Sequence, residues 1–255
     1  MVFIAASIIS ILFVLIALII AYPRVFNRDI SGGLKSTEVL DKAIRVCDVF
    51  NSWNDYYGEV RLLNIMLPEG KVWDEKIEIR TKEGFYKCTS LNGDEKVVKG
   101  IENGKCFREI NGNSNPDADL IKAYGLDSAQ ITLWKENHYC QLGLLMELKT
   151  SGLTLADEVR VEKFNEHDCY TLTFTFDTTK VKNDYFKGAD VIVYIDPANY
   201  SLVGYQCNGL FMNFKWYAVF TGTFKCNGIS IPLCKTYYNS ADNSLIFFDL
   251  ITEAK

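Results

Sequence analysis

Apolar side chains recur every three or four residues near the start of the folded part of the chain, which is the spacing of an amphipathic helix. In residues 36–53 this apolar face carries Leu40, Ala43, Ile44, Cys47, Phe50 and Trp53. Ser36 stands where a helix N-cap is expected. The pattern therefore predicts a helix that begins at Ser36 and packs its apolar face against another element.

From Tyr57 onward the apolar period changes to two, and β-branched and aromatic residues dominate. Residues 76–80 and 170–176 alternate polar with apolar side chains, as a sheet with one buried and one wet face requires. Three Asn-Gly dipeptides favour two-residue hairpin turns. They are Asn92-Gly93, Asn103-Gly104 and Asn227-Gly228. A helical pattern interrupts the strands over residues 117–148.

These runs predict an α+β protein dominated by one antiparallel sheet, with about ten strands and three or four helices. One strand, over residues 212–226, has an unusually apolar face. Its apolar parity carries Met212, Phe214, Trp216, Ala218, Phe220, Phe224 and Cys226. A strand of this length curves, and a curved sheet with aromatic residues on its concave side is either plugged by a helix or left with an apolar cavity.

If the concave face binds a ligand, alternation assigns eight side chains to the binding surface. They are Ile77, Ile79, Leu172, Phe174, Phe176, Phe214, Trp216 and Phe220. The expected ligand of such a surface is a lipid or an acyl chain. The alternative is that the same side chains form an ordinary core beneath a covering helix.

Residues 2–22 contain no charged side chain, and a helix of that length spans about 30 Å, enough to cross a bilayer. A cleaved signal peptide is the alternative, although the apolar run is long for one and no Lys or Arg precedes it. Arg24, Arg28 and Lys35 follow the segment and favour the cytoplasm for that side. We divide the chain into a membrane anchor or signal segment, residues 1–35, and one exported domain, residues 36–255.

Overall composition and charge exclude one class of partner. The chain has 27 Lys and Arg against 32 Asp and Glu, a net charge of −5, and no long basic run. Nucleic-acid binding is therefore not expected. With 48% hydrophobic and 23% charged residues, the composition is that of an ordinary globular protein.

Catalytic and metal-binding motifs are weak. Neither His138 nor His167 has a second ligand residue at a spacing typical of transition-metal sites, so no metal and no cofactor is predicted. Residues 166–169, Glu-His-Asp-Cys, have the types of a nucleophile, a base and an orienting group, but neighbours in a strand point to opposite faces. Residues 100–105 resemble a phosphate-binding loop one residue too short and read better as a hairpin. The chain is not predicted to be an enzyme.

Eight cysteines are present, without a Cys-x-x-Cys pair. Two-residue turns at the Asn-Gly dipeptides predict which residue opposes each nearby cysteine. The predicted pairs are Cys226 with Ile229, Cys234 with Thr221, Cys106 with Ile101 and Cys88 with Val97. Because no cysteine opposes another across these hairpins, buried free thiols are expected rather than a disulfide framework.

Turn and packing residues form an ordered set over about three quarters of the chain. They are Trp53, Gly58, Tyr86, residues 143–152, residues 194–197, Gly204, Tyr205, residues 217–222, residues 227–232, Tyr237 and Asp249. In this set the chain resembles the bacterial LolA/LolB-like lipoprotein-carrier fold, and within that superfamily an uncharacterised envelope branch.

The resemblance implies an unclosed antiparallel half-barrel whose concave face is capped by helices, in a family whose best-known members carry acylated lipoproteins across the periplasm. The chain departs from that pattern because the carriers' functional arginine matches no residue here. Two functions therefore stand beside each other. One is a membrane-tethered or exported envelope protein that binds a hydrophobic ligand on its concave face. The other is a structural or interaction module of the envelope whose own helices fill that face.

Overall fold

The computed structural model describes residues 33–67, 70–177, 179, 184–208 and 214–255. From Lys35 onward they belong to one compact unit, Lys35–Lys255. The uncharged segment at residues 2–22 lies outside the described residues. Among the helices of the described part, none combines the length and the apolar character that crossing a membrane requires.

The described residues form three α-helices, two short 3-10 turns and thirteen strands. The helices are α1 (Ser36–Cys47), α2 (Ala118–Ala123) and α3 (Ser128–Thr150), and the 3-10 turns are Trp53–Asp55 and Asp184–Phe186. The first six strands are β1 (Tyr57–Met66), β2 (Lys71–Arg80), β3 (Phe85–Asn92), β4 (Glu95–Glu102), β5 (Lys105–Ile110) and β6 (Thr154–Leu155). The others are β7 (Arg160–Phe164), β8 (His167–Thr175), β9 (Asp190–Ile195), β10 (Leu202–Asn208), β11 (Lys215–Cys226), β12 (Ile229–Asn239) and β13 (Leu245–Ala254).

All of these strands join one antiparallel sheet, in the order β5-β4-β3-β2-β1-β13-β12-β11-β10-β9-β8-β6, and β7 also pairs with β8. The first and last strands of the chain, β1 and β13, are neighbours at the middle of that order. The sheet does not close on itself, which confirms the predicted α+β class with an unclosed antiparallel sheet. Thirteen strands replace the predicted ten because several runs are short or interrupted by turns.

One face of this sheet, called here the inner face, is covered by the helices. α3 packs against β4, β5 and β12, and α1 packs against α3 and β12. The second half of α3 is deeply buried through Leu142, Leu144, Leu145 and Leu148. A smaller cluster lies on the outer face, where Phe164, Cys169 and Tyr194 pack together. The sheet is therefore apolar on both faces at its β7–β11 side.

The first helix begins and ends differently from the prediction. Lys35 is the N-cap, without a side-chain capping bond, and Ser36 is already helical. The helix ends at Cys47 because the Asp48 carboxylate accepts the backbone N–H groups of Ser52 at 2.6 Å and Trp53 at 2.9 Å, which turns the chain. Phe50, predicted on the apolar helix face, is consequently 78% exposed.

The hairpin predictions hold at two of the three Asn-Gly turns. Cys106 opposes Ile101, Cys226 opposes Ile229 and Cys234 opposes Thr221. At the remaining turn the prediction is wrong by one position, because Asn92 itself pairs with Glu95 and the loop residues are Gly93, at φ +61°, and Asp94. Cys88 therefore lies opposite Lys99 and not opposite Val97.

Candidate functional site

A cavity of about 990 Å³ lies between the inner face and the helices α2 and α3. Aromatic side chains from both sides form much of its wall: Trp73, Tyr205, Trp216, Tyr237 and Phe247 from the sheet, and Tyr124 and Trp134 from the helical segment. Polar side chains also reach the cavity, and they fall into two groups described below. The helices therefore cover the inner face without filling all of the space beneath them.

The eight residues of the predicted binding surface do not form one surface. Trp216 lines the cavity. Ile77, Ile79, Leu172 and Phe174 are core residues at 1% exposure or less, and they are absent from the cavity wall. Among these eight, only Trp216 is thus placed where a ligand in the cavity would touch it.

The remaining predicted residues lie at the margins of the sheet. Phe220 is half-buried, with its ring centroid 5.7 Å from that of Tyr205. Phe176 follows the end of β8 and is half-buried. Phe214 precedes β11 and is 42% exposed, so its place on the apolar parity does not bury it. Strand alternation selects a face, but the helices decide which part of that face stays open.

The first polar group is built on three neighbouring strands and α3. Glu75 on β2 pairs with Ser90 on β3, and Cys88 on β3 pairs with Lys99 on β4. His138 reaches them from α3. We call these five residues the Glu75 cluster. All five are buried, and all but Cys88 also line the cavity.

Contacts within the Glu75 cluster converge on the carboxylate. Ser90 donates a hydrogen bond to Glu75 Oε1 at 2.8 Å, and the Cys88 thiol points to the same oxygen at 3.6 Å. Lys99 Nζ lies 3.9 Å from Oε1, and His138 Nε2 lies 3.4 Å from Oε2. Each carboxylate oxygen therefore has a partner, which removes much of the cost of burying the charge.

The charge state of the cluster follows from these contacts. Burial opposes ionisation of Glu75, but the hydrogen bond to His138 and the charges of His138 and Lys99 outweigh it, and the pKa of Glu75 falls to about 2. Burial, together with the Glu75 charge, raises the pKa of Cys88 to about 12. The carboxylate is therefore charged and the thiol neutral near neutral pH.

Two aromatic residues fix the cations of this cluster. Tyr86 Oη lies 2.9 Å from His138 Nδ1, so the other ring nitrogen faces Glu75. Lys99 Nζ sits 4.0 Å from the centroid of the Trp134 ring, a cation–π arrangement. His138 and Lys99 are thus held from their far sides, which leaves their polar atoms directed at one carboxylate.

The second polar group surrounds Asp249 on β13, which lies directly opposite Lys235 on β12. Asp249 accepts hydrogen bonds from Asn64 at 2.7 Å, from Tyr237 at 3.0 Å and from Gln141 at 3.3 Å. Lys235 donates to the Gln141 carbonyl oxygen at 2.5 Å. Burial lowers the pKa of Lys235 to about 8, against the opposing effect of Asp249, and burial raises the pKa of Asp249.

Sequence reasoning singled out His138 but missed its partners, since Glu75 and Cys88 lie 63 and 50 positions before it. A signal was nevertheless present. Glu75 shares its strand parity with the buried Ile77 and Ile79, and Lys99 shares its parity with Val97 and Ile101. A charged residue on the apolar parity of a strand indicates a buried, paired charge.

The Glu-His-Asp-Cys run does not form a catalytic arrangement. Cys169 is buried on the outer face against Phe164 and Tyr194. His167 and Asp168 are exposed at the start of β8, next to the tight turn at Asn165 and Glu166. Burial raises the pKa of Cys169 to about 11, which removes its nucleophilic thiolate near neutral pH.

Comparisons with known proteins agree with this architecture. A family model described as a family of unknown function, DUF6503, matches residues 25–211. A search of curated proteins gave no match. The crystal structure of a LolA superfamily protein from Nitrosomonas europaea is similar at 9% sequence identity and a TM-score of 0.52, covering 88% of this chain and 94% of that one.

Two further solved structures are similar at 11% identity, each covering 86% of this chain and 92% of the other. One is a putative outer membrane lipoprotein-sorting protein domain from Vibrio parahaemolyticus, with a TM-score of 0.45. The other is a DUF1329 family protein from Desulfovibrio piger, with a TM-score of 0.47. The likeness to the Nitrosomonas protein confirms a LolA-like fold.

Proposed function

The chain belongs to the DUF6503 family, a family of unknown function, and we propose that it is a cell-envelope protein that binds an amphipathic, lipid-like molecule in the cavity beneath α2 and α3. The single observation that carries this proposal is the cavity itself. Its volume of about 990 Å³ lies at the upper end of the range for small-molecule sites.

The cavity wall suits a ligand with an apolar body. Trp216, Tyr205 and Tyr237 present large aromatic surfaces to the space, and contact with such surfaces stabilises an alkyl chain through burial of apolar area. These rings also pack against one another, with Trp216 5.2 Å from Tyr205 and 5.5 Å from Tyr237 between centroids. The wall is therefore preformed and needs little ordering when a ligand enters.

The polar groups suit a ligand with one polar end. Lys99 and Gln141 line the cavity and carry hydrogen-bond donors. A purely apolar ligand would leave the neighbouring water-filled polar surface partly desolvated without new hydrogen bonds, which is unfavourable. We therefore expect an amphipathic ligand, such as a fatty acid or a lipid, rather than a hydrocarbon.

Location in the envelope is part of the same proposal. Two observations support it: the uncharged run at residues 2–22, long enough to act as a membrane anchor or export signal, and the LolA-like fold. We expect the folded domain on the exported side, in the periplasm. No reaction is assigned to the protein, and no nucleic-acid partner is expected.

The alternative, an envelope interaction module that fills its own inner face, has partial support from the buried half of α3. Leu142, Leu144, Leu145 and Leu148 occupy that part of the face. The open cavity beside them favours the binding protein, because a self-filled sheet would have no comparable space.

A photoreactive fatty acid tests the proposal on the full-length chain. Membranes that contain the protein are incubated with a diazirine-bearing palmitic acid, irradiated, and the labelled peptides are mapped by mass spectrometry. Labelling is expected on peptides that carry Tyr124, Trp134 and Trp216, and to fall when excess unlabelled fatty acid competes. Labelling confined to residues 2–22, or spread without competition over exposed strands, would overturn the proposal.

A pair of matched variants sharpens this test. Ala123 is exposed on α2 and lines the cavity, whereas Ala198 is exposed in the turn after β9 and does not. Ala123→Trp fills space at the cavity and should reduce competed labelling at least about tenfold, by a steric block to a site of this size. Ala198→Trp introduces the same side chain and should leave labelling unchanged.

A further inference from the structure

We propose that Glu75, Cys88 and His138 form a binding site for a transition-metal ion of the Zn²⁺ class at the polar end of the cavity. One ligand atom from each of these three buried residues lies within 4.8 Å of the other two. This inference rests on the cluster and not on lipid binding, so each proposal can fail without the other.

The distances between ligand atoms fit a tetrahedral ion. With metal–ligand bonds of about 2.0 Å to oxygen and nitrogen and about 2.3 Å to sulfur, neighbouring ligand atoms stand roughly 3.3 to 3.6 Å apart. Glu75 Oε2 and His138 Nε2 are separated by 3.4 Å, and Glu75 Oε1 and Cys88 Sγ by 3.6 Å. Little side-chain movement is therefore needed for the three groups to share one ion.

Supporting contacts hold two of the ligands in a binding orientation. Tyr86 occupies His138 Nδ1 at 2.9 Å, which leaves Nε2 as the coordinating nitrogen. Ser90 fixes Glu75 through its hydrogen bond of 2.8 Å. Second-shell contacts of this kind, to the far nitrogen of a histidine and to a carboxylate, are typical of metal sites and raise their affinity. They arise here from residues on the same strands as the ligands, β3 in both cases.

The ligand types select the ion. A thiolate and an imidazole favour Zn²⁺ and related ions, whereas Ca²⁺ and Mg²⁺ require a shell of oxygen atoms that one carboxylate does not provide. On binding, the Cys88 thiol releases its proton to water and the thiolate sulfur bonds to the ion. Glu75 and Cys88 then contribute two negative charges, which balance a divalent cation. Three protein ligands leave a fourth position, and Glu75 and His138 both line the cavity.

Lys99 is the one element that opposes binding. Its ammonium group lies 3.9 Å from Glu75 Oε1 and repels a cation at the same carboxylate. Removing that charge should therefore strengthen metal binding, whereas in a cluster that serves only to satisfy buried charges the same change would merely weaken the fold. Lys99→Gln separates these two interpretations.

The test titrates the full-length protein, kept reduced in detergent, with Zn²⁺ and with Co²⁺ alone. We expect one equivalent of tightly held Zn²⁺ after dialysis, and a Co²⁺ complex with the intense visible bands of a tetrahedral ion and a near-ultraviolet thiolate charge-transfer band. Cys88→Ser should abolish that thiolate band, and His138→Gln should lower Zn²⁺ affinity at least about tenfold. Lys99→Gln should raise the affinity by about tenfold or more.

Controls keep the outcome unambiguous. Cys169→Ser changes a buried thiol on the outer face and should leave stoichiometry and spectrum unchanged. Circular dichroism and thermal unfolding of each variant identify any that fail to fold, and for those the wild-type protein decides, since Zn²⁺ should raise its unfolding temperature. Absence of saturable binding to the folded wild-type chain, or a thiolate band that survives in folded Cys88→Ser, would overturn the proposal.

Discussion

Gly143, in the middle of α3, lies directly against the indole ring of Trp53, and a Cβ atom at this glycine would come within 2.5 Å of Trp53 Cζ2. The helix kinks at the same residue, with φ −131° and ψ +41°. Trp53 is also held by a hydrogen bond of 2.8 Å from its Nε1 to Glu147 Oε1. This close approach joins the turn after α1 to the covering helix and so sets where α3 lies above the sheet.

Gly143→Ala should therefore destabilise the protein by about 1 to 3 kcal/mol, although alanine favours helix, because the added methyl group overlaps the indole. Urea unfolding followed by circular dichroism measures the change. Thr132→Ala, at an exposed position of the same helix, is the control and should change the free energy of unfolding by less than about 0.5 kcal/mol.

Combining Gly143→Ala with Trp53→Phe should recover part of the loss, since a smaller ring makes room for the methyl group. The double variant should be more stable than the sum of the single changes by at least about 0.5 kcal/mol. Strict additivity would show that the two residues are not coupled.

Lys235 should make stability depend on pH in the alkaline range. Its pKa is about 8 in the folded chain because of burial, against 10.5 as its ordinary value. Between these values the unfolded chain binds more protons than the folded one, so the contribution of Lys235 to stability rises with pH. The gain amounts to roughly 3 kcal/mol from pH 7.5 to beyond pH 10.

Lys235→Met isolates this effect from the titration of buried tyrosines and cysteines, which both proteins share. The free energy of unfolding of the wild type minus that of the variant, measured by urea titration under reducing conditions, should increase as pH rises from 7.5 to 10. A difference that stays constant, or that shrinks, would contradict the assigned pKa shift.

All eight cysteines are free thiols. Alkylation of the denatured, unreduced chain should therefore add eight alkyl groups in the intact mass, and a shortfall of two or more would reveal a disulfide. In the native protein at pH 8, Cys47 should react roughly a hundredfold more slowly than a free thiol, because burial, with the Asp48 charge, raises its pKa to about 11.

Trp216 and Phe214 share a strand parity but not an environment, since Trp216 is 3% exposed and Phe214 is 42% exposed. Trp216→Gln should cost about 3 kcal/mol of stability, because it removes a buried aromatic and buries an amide. Phe214→Gln should stay within about 0.5 kcal/mol of the wild type. Thermal and urea unfolding of the two variants test this, and equal losses would show that parity alone determines burial at these positions.

Much of the fold was determined by the sequence itself. Period-two alternation identified the strands, the Asn-Gly dipeptides identified the hairpins, and Asn103-Gly104 and Asn227-Gly228 set the register of their strands correctly. These features are local, because alternation and turn geometry act over two to five neighbouring residues. The α+β class and the unclosed antiparallel sheet follow from them.

The candidate site was decided only by the tertiary structure. Alternation placed Ile77 and Trp216 on the same face equally, and only the path of α3 made one a core residue and the other part of the cavity wall. Glu75, Cys88 and His138 meet because adjacent strands and a helix bring together residues far apart in sequence. A contact of this kind depends on the packing of whole elements, and no spacing along the chain encodes it.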